Sequence, residues 1–174
     1  KHVLEEVDLP LTMTSPDRLL HEISWVKNHL ITAEEYQAPR GSDIGKIVEE
    51  VYPVYQQQLI RANAVDFDDL IMLPVLLFRE HPEILERWQN RIRYLLVDEY
   101  QDISPIQELI IQSVSRGGPV DLAAGNPDGR AGNLFMVGDV KQSIYRFRQA
   151  APHIFVRYAS RWEKDTNTGR TLHL

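Results

Sequence analysis

Tyr94-Leu95-Leu96-Val97-Asp98-Glu99 is a short, unbroken apolar run closed by two acids. Apolar residues without polar alternation suit a strand covered on both faces of a parallel sheet, and acids at its end fall where open sheets of this kind bind ligands. Immediately downstream, Ser104-Pro105-Ile106-Gln107 combines an N-cap oxygen, a proline at the first helical position and a capping-box glutamine. It predicts a helix with Ile106, Leu109, Ile110 and Val114 turned inward. A second buried-type run, Leu134-Phe135-Met136-Val137, ends in Gly138-Asp139, and Pro152 can open a last helix whose face is Phe155, Tyr158, Ala159 and Trp162. Strand, helix, strand, helix is the order of an α/β layer with parallel strands. The stretch from Gly117 to Gly132, rich in Gly, Pro, Asn and Asp and without periodicity, reads as a loop or insertion.

Upstream of Arg93 the pattern is helical. Ser15-Pro16-Asp17 opens a helix on which Leu19, Leu20, Ile23, Val26 and Leu30 recur at helical spacing. Thr32-Ala33-Glu34-Glu35 has capping-box spacing for a second, short helix, and Ala38 to Ser42 reads as a loop. A further helix starts near Asp43 with Ile44, Ile47, Val48 and Val51 on one face, and Pro53 is expected to kink or split it. Asp66-Phe67-Asp68-Asp69 puts acids at an N-cap and in a first turn ahead of Leu70 to Phe78, a stretch that Pro74 and then His81-Pro82 are expected to interrupt.

A chain of 174 residues with 43% hydrophobic content can bury a core. No apolar run approaches the roughly 20 residues that cross a bilayer, and Lys1 to Pro10 contains three acids, so no membrane association is expected. The chain has no cysteine, which removes disulfides and thiolate metal sites and favours a cytoplasmic setting. His21, His29, His81 and His153 fit no metal-ligand spacing. With a net charge of −6 the chain does not attract phosphate backbones as a whole, so any nucleic-acid contact must be local.

Both strands end in carboxylates. A carboxylate there can hold Mg²⁺, and a neighbour can orient or deprotonate a water that attacks a phosphoryl group. On spacing alone the alternative is plain: the acids cap the following turns and face solvent.

The full strings carry more. Val97-Asp98-Glu99-Tyr100-Gln101-Asp102 resembles motif II, the Walker B element, of UvrD/Rep-like superfamily 1 helicases, and the string from Gly138-Asp139-Val140-Lys141-Gln142-Ser143 through Arg148 resembles their motif III. Val65-Asp66-Phe67-Asp68-Asp69-Leu70 is similar to the aspartate-rich segment before motif II, and Ile23 to Asn28 with Thr32 to Tyr36 resembles their helical 1B subdomain. Val140-Lys141 leans toward the AddA branch, the helicase subunit of helicase-nucleases, while Asp66 to Asp69 leans toward Rep and UvrD. Both branches stay open.

The resemblance implies a partial RecA-like parallel sheet of the P-loop NTPase type over residues 89–174, preceded by an all-helical 1B-like subdomain over residues 1–88. It implies a parent that couples hydrolysis of ATP with Mg²⁺ to movement on single-stranded DNA in recombination or repair, with the remainder of the motor as partner and, in the AddA branch, a nuclease. Asp98 would bind Mg²⁺, Glu99 would be the catalytic carboxylate, and Gln142 would sense the γ-phosphate, so that Asp98, Glu99 and Gln142 meet the nucleotide. Tyr145 and Phe147 would stack on bases, a contact worth ~1–3 kcal/mol per base, and Arg148 or Arg146 would meet a phosphate. For the two aromatics, ordinary core packing is the alternative.

No Gly-x-x-x-x-Gly-Lys-Ser/Thr occurs in the chain, so the Walker A nest for the β- and γ-phosphates is expected upstream, and the arginine of the second RecA-like domain downstream. The chain therefore reads as an internal piece of a longer protein, unable to hydrolyse ATP alone and marginal in stability. Two other functions fit parts of the pattern: an inactive helicase-like scaffold, and a small metal enzyme using Asp98, Glu99 and Asp139.

Overall fold

A computed structural model describes residues 2–7, 14–115, 132–143, 149–164 and 169–172. The chain divides into two compact units, residues 1–76 and 77–174. The loop expected between Gly117 and Gly132 lies almost wholly outside the described residues.

The first unit is helical. Its helices are α1 (His2–Glu6), α2 (Pro16–Asn28), α3 (Asp43–Arg61) and the start of α4 (Asp69–Glu80). Ser15 caps α2 by accepting from the Arg18 N–H, and Ser42 caps α3 by accepting from the Gly45 N–H. Leu19, Ile23 and Val26 of α2 pack with Leu4, Ala33, Val48, Val51 and Tyr52 into one apolar cluster. Leu20 and Leu30 do not follow the expected stripe: Leu20 is half exposed, and Leu30 lies past the helix end at φ 59°.

Three helix boundaries differ from expectation. Residues 33–35 form a turn and not a helix. The Glu35 carboxylate does accept from the Thr32 N–H at 3.1 Å, so the reciprocal half of the capping box is present without a helix to cap. Pro53 does not split its helix, since α3 runs through it without a break. An interior proline costs ~3 kcal/mol, whereas burial of Val48, Val51 and Tyr52, each under 4% exposed, contributes ~1.5–3 kcal/mol per side chain. Packing holds the helix across the missing hydrogen bond. Pro74 likewise stands inside α4, and only His81 separates it from α5 (Pro82–Arg91), which Pro82 opens.

The aspartate-rich segment explains a buried cation. Lys27, on the core side of α2, is fully buried, and its ammonium donates to Asp66 Oδ2 at 2.7 Å and to Asp69 Oδ1 at 2.8 Å. The two acids also cap α4 reciprocally, Asp69 N–H to Asp66 Oδ1 at 2.7 Å and Asp66 N–H to Asp69 Oδ2 at 3.3 Å. The Tyr55 hydroxyl donates to Asp66, the Gln56 amide to Asp69 and the Asn28 amide to Asp68. Buried charge persists only when paired and hydrogen-bonded, and here it is both. Burial pulls the Asp66 carboxyl upward, but the hydrogen bonds from Lys27, the Asp69 N–H and Tyr55 together hold it below its ordinary 3.8.

The second unit is α/β. Strands β1 (Leu95–Val97) and β2 (Leu134–Met136) pair in parallel, Leu95 beside Leu134, Leu96 beside Phe135 and Val97 beside Met136. Between them runs α6 (Pro105–Val114), closed at its start by the expected capping box of Ser104 and Gln107. Helix α7 (Pro152–Lys164) follows, with Ile154 and Tyr158 buried and Phe155 and Trp162 partly so. The fold is thus α/β, mostly helical with a small parallel sheet. Among the described residues the strands are covered on one face only, and not on both as the unbroken apolar run led one to expect. Leu96 is 71% and Phe135 55% exposed, because period-two alternation turns these two to the side that no described element covers.

Candidate functional site

The site is assembled where the two strands end. Val137 N–H donates to Val97 O and Tyr100 N–H donates to Val137 O, both at 2.9 Å, so the parallel pairing carries on past the sheet and locks the two following segments side by side. The expected motif II and motif III acids are therefore brought together at one end of the sheet.

On the β1 side, Asp98 Oδ1 accepts the Glu99 N–H at 2.9 Å, and both carboxylates face solvent. Glu99 sits at φ 52°, ψ 38°, a left-handed conformation rare for a residue with a side chain. From it the chain enters a single 3-10 turn, Tyr100–Asp102, which carries the next two side chains inward. The Tyr100 ring is fully buried against Phe155 and Tyr158, edge-on to Tyr158 with centroids 6.1 Å apart. Its hydroxyl donates to Glu108 of α6, a buried carboxylate that also accepts from the Tyr158 hydroxyl at 2.6 Å and from the Gln112 amide. Burial first, and then the Glu108 charge, push both phenols up, so they remain donors to that carboxylate.

On the β2 side, Asp139 opens a second 3-10 turn, Val140–Gln142, by accepting the Lys141 N–H on Oδ1 at 2.9 Å. Its other oxygen accepts from the Gln142 side-chain amide at 3.1 Å. Two side chains cross between the segments. Gln101, 3% exposed, accepts the Asp139 N–H on Oε1 at 3.0 Å, and Asp102 Oδ1 accepts from the Ser143 hydroxyl at 3.0 Å. Gly138 leaves room for the first crossing: a Cβ there would lie 2.6 Å from Gln101 Oε1 and 3.1 Å from the Phe155 ring.

Of the residues singled out from sequence, Asp98, Glu99 and Gln142 are thus exposed on adjoining segments. Tyr145, Phe147 and Arg148, together with Arg146, lie outside the described residues. Gln101, Gly138 and Ser143 were within the quoted motifs but without a role, because the bonds that give them one span 38 residues or more. The hard oxygens of Asp98 and Glu99, held at a strand end and open to solvent, are a donor set that suits Mg²⁺. Among the described residues no three His, Asp or Glu side chains gather as a metal centre, which leaves the three-carboxylate reading of Asp98, Glu99 and Asp139 without geometry. Among them, too, no helix is long and apolar enough to cross a membrane.

Residues 1–163 match the model of the UvrD/REP helicase N-terminal domain. The chain is 34% identical over its full length to an ATP-dependent DNA helicase PcrA of Leuconostoc citreum, covering 21% of that protein. Over 86% of the chain it is 37% identical to PcrA of Bacillus subtilis, and over 83% it is 39% identical to the ATP-dependent DNA helicase UvrD1 of Mycobacterium leprae, in each case 18% of the relative. The chain spans about a fifth of the length of these curated relatives.

Proposed function

Because the chain belongs to the UvrD/REP helicase family, we propose that it supplies the Walker B and motif III segments of a motor that couples ATP hydrolysis to movement on single-stranded DNA. The observation that supports this reading most is the pairing of the Asp98-Glu99 and Asp139-to-Gln142 segments beyond the sheet. An ATP site that must report hydrolysis to a DNA track needs these two parts in mechanical contact.

In this reading Asp98 holds Mg²⁺, which neutralises phosphate charge when bound. Glu99, exposed and set forward by its left-handed backbone, orients the attacking water and accepts its proton. Gln142, held by Asp139, meets the γ-phosphate. Tyr145, Phe147 and Arg148 form the track for DNA. Residues 1–88 act as a 1B-like subdomain and residues 89–174 as part of the first motor domain, with Walker A and the second RecA-like domain supplied by the rest of the motor. The Val140-Lys141 pair leans to an AddA-like parent with a nuclease partner and the Asp66-to-Asp69 segment to a Rep- or UvrD-like one, either working on cytoplasmic DNA in recombination or repair.

The test is single-stranded-DNA-stimulated ATP hydrolysis by the full-length protein, wild type against Glu99→Gln. Turnover is expected to fall at least 10²-fold while nucleotide binding survives, the size of loss typical when a general base is removed. A full-length protein that binds DNA but shows no stimulated hydrolysis would instead be a scaffold.

A further inference from the structure

Gln101 is buried, yet nothing apolar about its site requires a glutamine. Both ends of its amide are used. Oε1 accepts the Asp139 N–H at 3.0 Å and Nε2 donates to Asp102 Oδ2 at 3.3 Å. Each partner passes the constraint on. Asp139 holds the Gln142 amide at 3.1 Å and caps the turn that Gln142 ends, and Asp102 holds the Ser143 hydroxyl at 3.0 Å. Ser143 N–H in turn donates to Val140 O at 3.3 Å. Gln101 is therefore the junction of a closed ring of hydrogen bonds whose far side carries Gln142.

We propose that Gln101 is a positioning residue, which fixes Gln142 through the Asp139 backbone and so sets how strongly DNA stimulates turnover. The inference rests on the function proposed above. Two features separate it from a role in stability alone. The amide oxygen accepts from a backbone N–H, so the register of the Asp139 turn depends on the length of this side chain. The neighbouring residue also lacks a side chain at the one place where a Cβ would displace Gln101 Oε1, at 2.6 Å. Gly138→Ala is thus a second, independent way to move the same amide while every polar group is kept.

The experiment uses the full-length protein with single-stranded DNA and ATP. Gln101→Leu, of similar size and without either hydrogen bond, is expected to lower DNA-stimulated kcat tenfold or more with KM for ATP within twofold. Gly138→Ala is expected to do the same, which secures the test if Gln101→Leu does not fold by circular dichroism. Gln142→Ala supplies the decisive arm. Combined with it, Gln101→Leu is expected to cause no further loss, because it acts through Gln142; a merely structural glutamine would add its own. Multiplying losses in the double variant, or an unchanged kcat in both Gln101→Leu and Gly138→Ala, overturns the proposal while the helicase reading stands. A wild type without DNA-stimulated hydrolysis overturns both.

Discussion

Replacing Lys27 by methionine keeps most of the stem's volume and removes one charge from a place that water does not reach. In the native protein the ammonium lies 2.7 Å from Asp66 and 2.8 Å from Asp69, and its side chain is fully buried. Without it two carboxylates that cap the same turn face each other uncompensated. Breaking a buried pair from one side costs about 3–5 kcal/mol, which is most of what a unit of this size has. The measurement is urea unfolding in a Trp88→Phe/Trp162→Phe background, so that emission comes from Trp25 on α2. The Lys27→Met transition is expected to move almost to zero urea. Adding Asp66→Asn and Asp69→Asn should restore most of the loss, since the cost lies in unpaired charge and not in packing. A loss below about 1 kcal/mol, or a triple variant no better than the single one, would refute the reasoning.

The same network gives a pH dependence. Asp66 is held below 3.8 when folded, so the stability it contributes is fully present above its unfolded value and is lost as pH falls through the lower folded one. Urea midpoints of the wild type between pH 5 and pH 2 read this directly. In Lys27→Met the sign reverses, because paired carboxylates without a cation bind a proton more readily folded than unfolded, and the midpoint should rise on acidification from neutrality. Ser104→Ala removes the acceptor of the Gln107 N–H at the start of α6 and is expected to cost about 1 kcal/mol, measured by Trp162 emission during urea unfolding. Tyr158→Phe takes a donor from buried Glu108 and an acceptor from Gln112. It is expected to cost about 1–3 kcal/mol, measured by Trp162 emission during thermal unfolding.

Local rules carried the reading from sequence a long way. Ser15 and Ser104 stand within three residues of the N–H groups they satisfy, so spacing along the chain is enough to find them. The α/β order and the place of Asp98 and Glu99 at a strand end follow from the same kind of signal. Where the outcome depended on distant partners, the sequence was silent. Pro53 looks like a helix breaker until the burial of Val51 and Tyr52 is known. Lys27 looks like any helix-surface lysine until Asp66 and Asp69 arrive from 39 and 42 residues away. Gln101 gains its partner 38 residues on. The unbroken apolar runs at 94–97 and 134–137 report a sheet covered on both sides, and the described residues cover one.

Glu99 holds a backbone shape that most residues resist, at φ 52° and ψ 38°, and for an L-residue other than Gly, Asn or Asp that shape costs roughly 1–2 kcal/mol. Asparagine or glycine would adopt it more easily. A library of this protein screened for heat resistance alone is therefore expected to collect those two residues at position 99 and to discard the carboxylate that the proposed function assigns to turnover. On that proposal endurance and activity pull in opposite directions at this single peptide unit, and thermal improvement has to be sought elsewhere in the chain.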